Sequence, residues 1–179
     1  MAGYLYGANS TPTKTTITST STASPITSTI TVTVGSISSA KSFTGSQGRV
    51  TFSRTNGDWD FTMILNGTAV NRGQVMAALL NLTNISGQTQ TVHVVVPLYN
   101  PLVYSQNGTV VWRAYPSEMN FDMNWTSGPG RSYEWDIPTS SLHSGQTYVL
   151  NVWPFIGTPS SSQYLIGEDL MINATFTVL

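Results

Sequence analysis

The sequence predicts an all-β fold, an antiparallel β-sandwich preceded by an extended, Ser/Thr-rich N-terminal arm. Three observations carry this. Apolar and polar residues alternate with a period of two in run after run, each run is short and closed by Gly, Pro, Asn or Ser, and no stretch carries a long amphipathic helical period. Roughly seven to ten such runs suffice for two packed sheets.

From Ser10 to Thr33, 16 of 24 residues are Ser or Thr, and the bias stops near Lys41. This divides the chain into an extension over residues 1–24 and a sandwich domain over 25–179. The run after Pro25 places Ile26, Ile30, Val32 and Val34 on one face with small hydroxyls opposite, which suits a pleated, half-buried surface. Val50 and Phe52 share a face of the next run, and Trp59, Phe61, Met63 and Leu65 share a face of the one after. Asn56-Gly57 between them is the strongest hairpin signal, because both residues tolerate the positive φ of a tight reversal. The stretch Gln74–Leu82 is rich in Met, Ala and Leu but only nine residues long between turn-forming segments, so it reads as a buried strand. Further alternating sets are Val92/Val94/Val96, Val110/Trp112/Ala114, Met119/Phe121/Met123/Trp125 and Tyr133/Trp135/Ile137. Tyr148/Leu150/Val152 and Ile172/Ala174/Phe176/Val178 complete the series.

The 179 residues fit one domain with a core, since 40% are hydrophobic and 11% aromatic. Charged residues are only 8%, net charge is −1 and the pI is near 6.0, so nothing favours binding a phosphate backbone, and no nucleic acid partner is expected. The absence of cysteine removes disulfides, thiolate zinc sites and thiol nucleophiles. No apolar run is long enough to span a bilayer, and MAGYLYGANS has no basic and apolar signal-peptide pattern. A Met-Ala start that keeps its methionine is expected to follow a leader already cut.

Asn-x-Ser/Thr occurs seven times, at Asn9, Asn66, Asn81, Asn84, Asn107, Asn124 and Asn173, where composition alone would give about three or four. N-linked glycans are therefore expected partners, and with them an extracellular location. Asn124 and Asn173 lie opposite the apolar faces of their strands and so face solvent. Asn81, flanked by Leu80 and Leu82, is the sequon this pattern supports least. Scarce carboxylates fit an acidic exterior, because protonating ion-paired carboxylates is the main route to acid unfolding.

Catalytic chemistry finds no foothold. The carboxylates Asp58, Asp60, Glu118, Asp122, Glu134, Asp136, Glu168 and Asp169 fall mostly in turns or on solvent faces. His93 alternates with valines and His143 sits in a turn, with no GxSxG, HExxH or DxDxDG for either to serve. No catalytic, metal or cofactor residue is expected, and the protein reads as a non-enzyme. Trp59, Trp112, Trp125 and Trp135 all fall on apolar strand faces, which favours core over a sugar-binding platform.

An extended arm ahead of a sandwich invites strand donation, in which one copy fills its neighbour's open sheet edge. Such head-to-tail contacts do not close, so the product is a filament. The anchors are Ala2, Tyr4, Tyr6 and Ala8, or Leu5 with Ile17. A Thr-rich extension, then residues 28–37 (STITVTVGSI), then a sandwich ending in Asn173-ATFTV-Leu179, without Cys and with many sequons, resembles the donor-strand thread pilins of Sulfolobales archaea. The resemblance is one of layout over the whole chain. It implies an Ig-like, pilin-like sandwich and a subunit of a glycosylated extracellular pilus serving adhesion or cell contact, with itself as partner. Rival readings are a jelly-roll capsid or turret protein of an archaeal virus, and a carbohydrate-binding module.

Overall fold

A computed structural model describes residues 13–19, 28–35, 48–114, 119–159 and 165–179. Its strands are β1 (Thr13–Ser19), β2 (Ser28–Gly35), β3 (Arg49–Asn56), β4 (Trp59–Leu65), β5 (Ala69–Val70) and β6 (Val75–Asn84). They continue as β7 (Gln90–Ser105), β8 (Val110–Arg113), β9 (Met119–Trp125), β10 (Arg131–Pro138), β11 (Gln146–Gly157) and β12 (Ile172–Val178). One short helix, α1 (Leu165–Asp169), precedes β12. The fold is the expected all-β sandwich. The first sheet runs β1-β2-β3-β4-β6-β10; the second runs β5-β12-β11-β7-β8, with β9 also paired to β7.

The period of two builds the core. Trp59, Phe61, Met63 and Leu65 of β4 are buried, as are Met76, Ala78, Leu80 and Leu82 of β6. Opposite them lie Val92, Val94, Leu150, Val152, Ala174 and Phe176 from the second sheet, in one continuous cluster. Full burial of each large aliphatic or aromatic side chain contributes about 1.5–3 kcal/mol, which holds the layers together without disulfides. Gly57 closes the β3–β4 hairpin at φ 48°, the left-handed conformation that the Asn-Gly pair foretold. β6 is a strand despite its helix-favouring residues. It lies hydrogen-bonded between β4 and β10, and apolar Ala77 and Leu79 on its outer face suit a central strand. In β7 Val95 is buried outside the main core cluster and Val96, opposite Met119 of β9, is exposed, near the place where the register against β11 shifts between Pro154 and Ile156.

The N-terminal segment carries a strand of its own. Thr13–Ser19, expected within a separate extension, form β1 and pair antiparallel with β2 over seven residue pairs, Ile17 opposite Ile30. The boundary at residue 24 thus falls between two strands of one sheet. The cause is local: Thr13, Thr15, Thr16, Ile17 and Thr18 are β-branched and favour a strand over a free arm. Ile17 accordingly lies in its own chain's sheet. The attachment is narrow, because β2 joins β3 through three pairs only, Thr33–Thr51, Val34–Val50 and Gly35–Arg49. Residues 1–12, which include Ala2, Tyr4, Leu5, Tyr6, Ala8 and Asn9, lie outside the described residues.

Candidate functional site

Among the described residues, one side of the sandwich is open. There β10 ends the first sheet and pairs only with β6, while β9 pairs only with β7 in the second sheet, so both present an edge with no described partner on the same side. Register assigns their faces. Phe121 and Met123 sit opposite buried Val94 and Val92, and Tyr133 and Trp135 sit opposite buried Leu80 and Ala78, so all four point between the sheets. Yet Phe121 is 43% exposed, Tyr133 47% and Met119, on the same face of β9, 68%. Trp112 of β8, opposite buried Val103, packs against the core at this side, as do Met123 and Trp135. The Tyr133 and Trp135 rings meet at 5.1 Å. Trp135 also buries its indole Nε1 with no hydrogen-bond partner among the described residues. An inward-facing apolar strip and two strand edges unpaired among the described residues are what a further strand would complete.

Two polar links hold this side at a fixed gape. The Tyr99 hydroxyl of β7 crosses to the first sheet and donates to the Arg131 carbonyl of β10, while its ring stacks on Phe61 at 5.6 Å. Burial pushes the Tyr99 hydroxyl far above the usual phenol range, against smaller opposing pulls from the Leu82 backbone hydrogen bond and the Arg131 charge. It stays a neutral donor at ordinary pH. At the other link, Asn84 is fully buried and its Nδ2 donates to the Gln88 and Trp125 carbonyls, both at 2.8 Å. Its Oδ1 accepts from the Ser86 amide at 3.0 Å and the Ser86 hydroxyl at 2.7 Å. Trp125, beneath the Arg131 guanidinium at 4.9 Å and edge-on to Trp59 at 5.2 Å, closes the floor.

The six described sequons differ in what their side-chain nitrogen does. Asn84 commits both hydrogens as above. Asn66 acts as a ladder partner for β6, donating to the Val75 carbonyl and accepting from the Ala77 amide, each at 3.1 Å. Asn81 donates to the Thr83 hydroxyl and accepts from Ser132. Gly130 lies close by: a Cβ there would fall 2.3 Å from Asn81 Oδ1 and 2.7 Å from its Nδ2, so a larger residue would push this side chain aside. In contrast Asn107, Asn124 and Asn173 are exposed, and each has only its oxygen engaged, by Thr109 and Ser105, by Thr91, and by Asn151 respectively.

The structure thus reorders the sequons. Asn81 lies on a polar outer face with Thr62 and Ser132 rather than among apolar residues, and Asn84 is the inaccessible one. A turn sequence, Asn84-Ile85-Ser86-Gly87, concealed the role of Asn84, because nothing in it shows the Trp125 carbonyl waiting across the sandwich. The carboxylates serve local bonds: Asp60 with Ser53, Asp58 with Gln90, Asp169 with Asn56, and Asp122 with His93 at 2.6 Å across β7 and β9. Glu118 lies outside the described residues. No group of three metal-ligating side chains occurs among the described residues, and no helix there is long and apolar enough to cross a membrane.

No family model matches the chain, and no curated protein matches it. Among solved structures, the crystal structure of Bacteroides uniformis beta-glucuronidase aligns with 59% of this chain at 8% sequence identity and a TM-score of 0.34. The alignment spans 12% of that chain, and so distant a likeness carries no argument about activity.

Proposed function

We propose that the protein is the structural subunit of an extracellular, glycosylated pilus that polymerises by strand donation, for adhesion or cell contact. The observation that carries this is the open side, where Met119, Phe121 and Tyr133 face inward yet remain exposed between two strand edges unpaired among the described residues. A donated strand pairs with such an edge through its backbone and sends alternate side chains between the sheets. The donor is the segment 1–12, whose alternation Ala2, Tyr4, Tyr6, Ala8 offers two aromatic anchors. It leads into β1, at the edge of the first sheet remote from β10. The donor's point of attachment at Thr13 and the acceptor edge therefore belong to opposite flanks of the first sheet, a heterologous arrangement that propagates as an open filament.

This reading is favoured over a jelly-roll shell protein because β1 to β4 run as a meander within one sheet, where two Greek keys would shuttle the chain between sheets. It is favoured over a sugar-binding module because Trp59 and Trp125 are buried and Trp112 and Trp135 pack on the core. The test is deletion of residues 1–12, which leaves β1 to β12 intact. The shortened chain should remain monomeric and bind a synthetic peptide of residues 1–12. Fibres formed by the shortened chain would defeat the proposal.

A further inference from the structure

The three sequons with committed nitrogens belong to the first sheet or its margins: Asn66 follows β4, and Asn81 and Asn84 lie in β6. The three with free nitrogens all belong to the second sheet. Asn107 is in the β7–β8 turn; Asn124 is on the outer face of β9 beside Thr91; Asn173 is on the outer face of β12 beside Asn151. We infer that the protein is glycosylated asymmetrically, with sugar carried on Asn107, Asn124 and Asn173 of the second sheet and none on Asn66, Asn81 or Asn84.

The chemistry makes the division. In N-glycosylation the Asn Nδ2 attacks C1 of an oligosaccharide supplied as a lipid-linked phosphate ester by a separate transferase. The C1–O bond to phosphate breaks and its electron pair leaves with the lipid phosphate. The Nδ2–C1 bond forms, and one Nδ2 proton passes to base, leaving a secondary amide with a single N–H. Asn84 is fully buried, and both its Nδ2 hydrogens are in use, one of them on the buried Trp125 carbonyl and the other on the Gln88 carbonyl. Asn66 and Asn81 each donate one Nδ2 hydrogen, to the Val75 carbonyl and the Thr83 hydroxyl, and each has its oxygen held as well, so both amides are tied at both ends to their own sheet, and Gly130 crowds Asn81 besides. Asn107, Asn124 and Asn173 are exposed, and the hydrogen bonds each makes among the described residues go to its oxygen and leave Nδ2 uncommitted. The outer face of the first sheet, with Ile64 and half-exposed Leu79, is then left bare for contact with other surfaces.

This rests on the export proposed above, and its test is separable from polymerisation because occupancy is read equally on monomers and filaments. Intact glycopeptide mass spectrometry of the protein from its native source should find sugar on at least two of Asn107, Asn124 and Asn173, and unmodified peptides for Asn66, Asn81 and Asn84. Sugar on any of the latter three, or on fewer than two of the former, overturns it. Replacing all three open asparagines, N107Q with N124Q and N173Q, should remove the remaining sugar signal from these six positions. Retention of that signal would equally overturn it.

Discussion

Replacing Met119, Phe121 and Tyr133 together by serine separates a polymerisation surface from an ordinary core. Their exposures of 68%, 43% and 47% leave the equivalent of about one and a half side chains uncovered in the monomer. At about 1.5–3 kcal/mol per fully buried side chain, covering them contributes roughly 2–5 kcal/mol. By ~1.4 kcal/mol per tenfold, the triple variant should bind the 1–12 peptide about 30- to 3,000-fold more weakly. The monomer also loses what these side chains already bury, again about one and a half side-chain equivalents or roughly 2–4 kcal/mol, so assembly is compared at a temperature where the variant monomer is still folded. Sedimentation of the full-length variant reads assembly, and the thermal midpoint of the chain lacking residues 1–12 reads the monomer. Lost polymer from a monomer that stays folded, with a lowered midpoint, is the expected pair. A lowered midpoint with normal polymer would refute the reasoning.

Other substitutions test the links that frame the open side. Asn84→Ala strands the buried Trp125 carbonyl, and chemical denaturation should report a loss of roughly 1–3 kcal/mol. A change under about 0.5 kcal/mol would mean that the bonds are not formed. Tyr99 keeps its proton in the folded chain at a pH where the unfolded chain gives it up, near 10.0, so its contribution is constant below that pH and falls above it. Stability should drop by about 1.4 kcal/mol per pH unit above 10 from this group, and Tyr99→Phe should shallow that slope by the same amount in urea titrations at pH 10 to 11. An identical slope would remove Tyr99 as the cause. Trp135→Phe deletes a buried donor that has no partner in the lone subunit, so the monomer should be as stable or slightly more so. Because that nitrogen is already closed off from solvent, affinity for the 1–12 peptide should change by less than about threefold, and calorimetry showing a loss of tenfold or more would contradict that.

The fold was legible because the period of two survives almost intact from Val50 to Val178, and because Asn56-Gly57 marks its hairpin without competition. Even the Met, Ala and Leu of β6 yielded to turn residues on both flanks. The alternation also aimed Phe121, Tyr133 and Trp135 inward correctly. It could not show that β9 and β10 end their sheets, because sheet order depends on long-range pairing that no local pattern encodes. For that reason an inward face looked like a finished core. Likewise Ser/Thr bias drew the boundary at residue 24, although a Thr-rich, β-branched run satisfies the requirements of an edge strand as readily as those of an arm. Asn84 shows the same limit at a single side chain, since its partner Trp125 lies 41 residues away in sequence.

Cryo-electron microscopy of assembled fibres, at a resolution that traces side chains, tests the central claim most directly. The account predicts residues 1–12 of one subunit extended along β9 or β10 of the next, with an aromatic ring from Tyr4 or Tyr6 beside Phe121 and Tyr133. Those residues packed on their own subunit, with Met119 and Phe121 still facing solvent in the fibre, would contradict it.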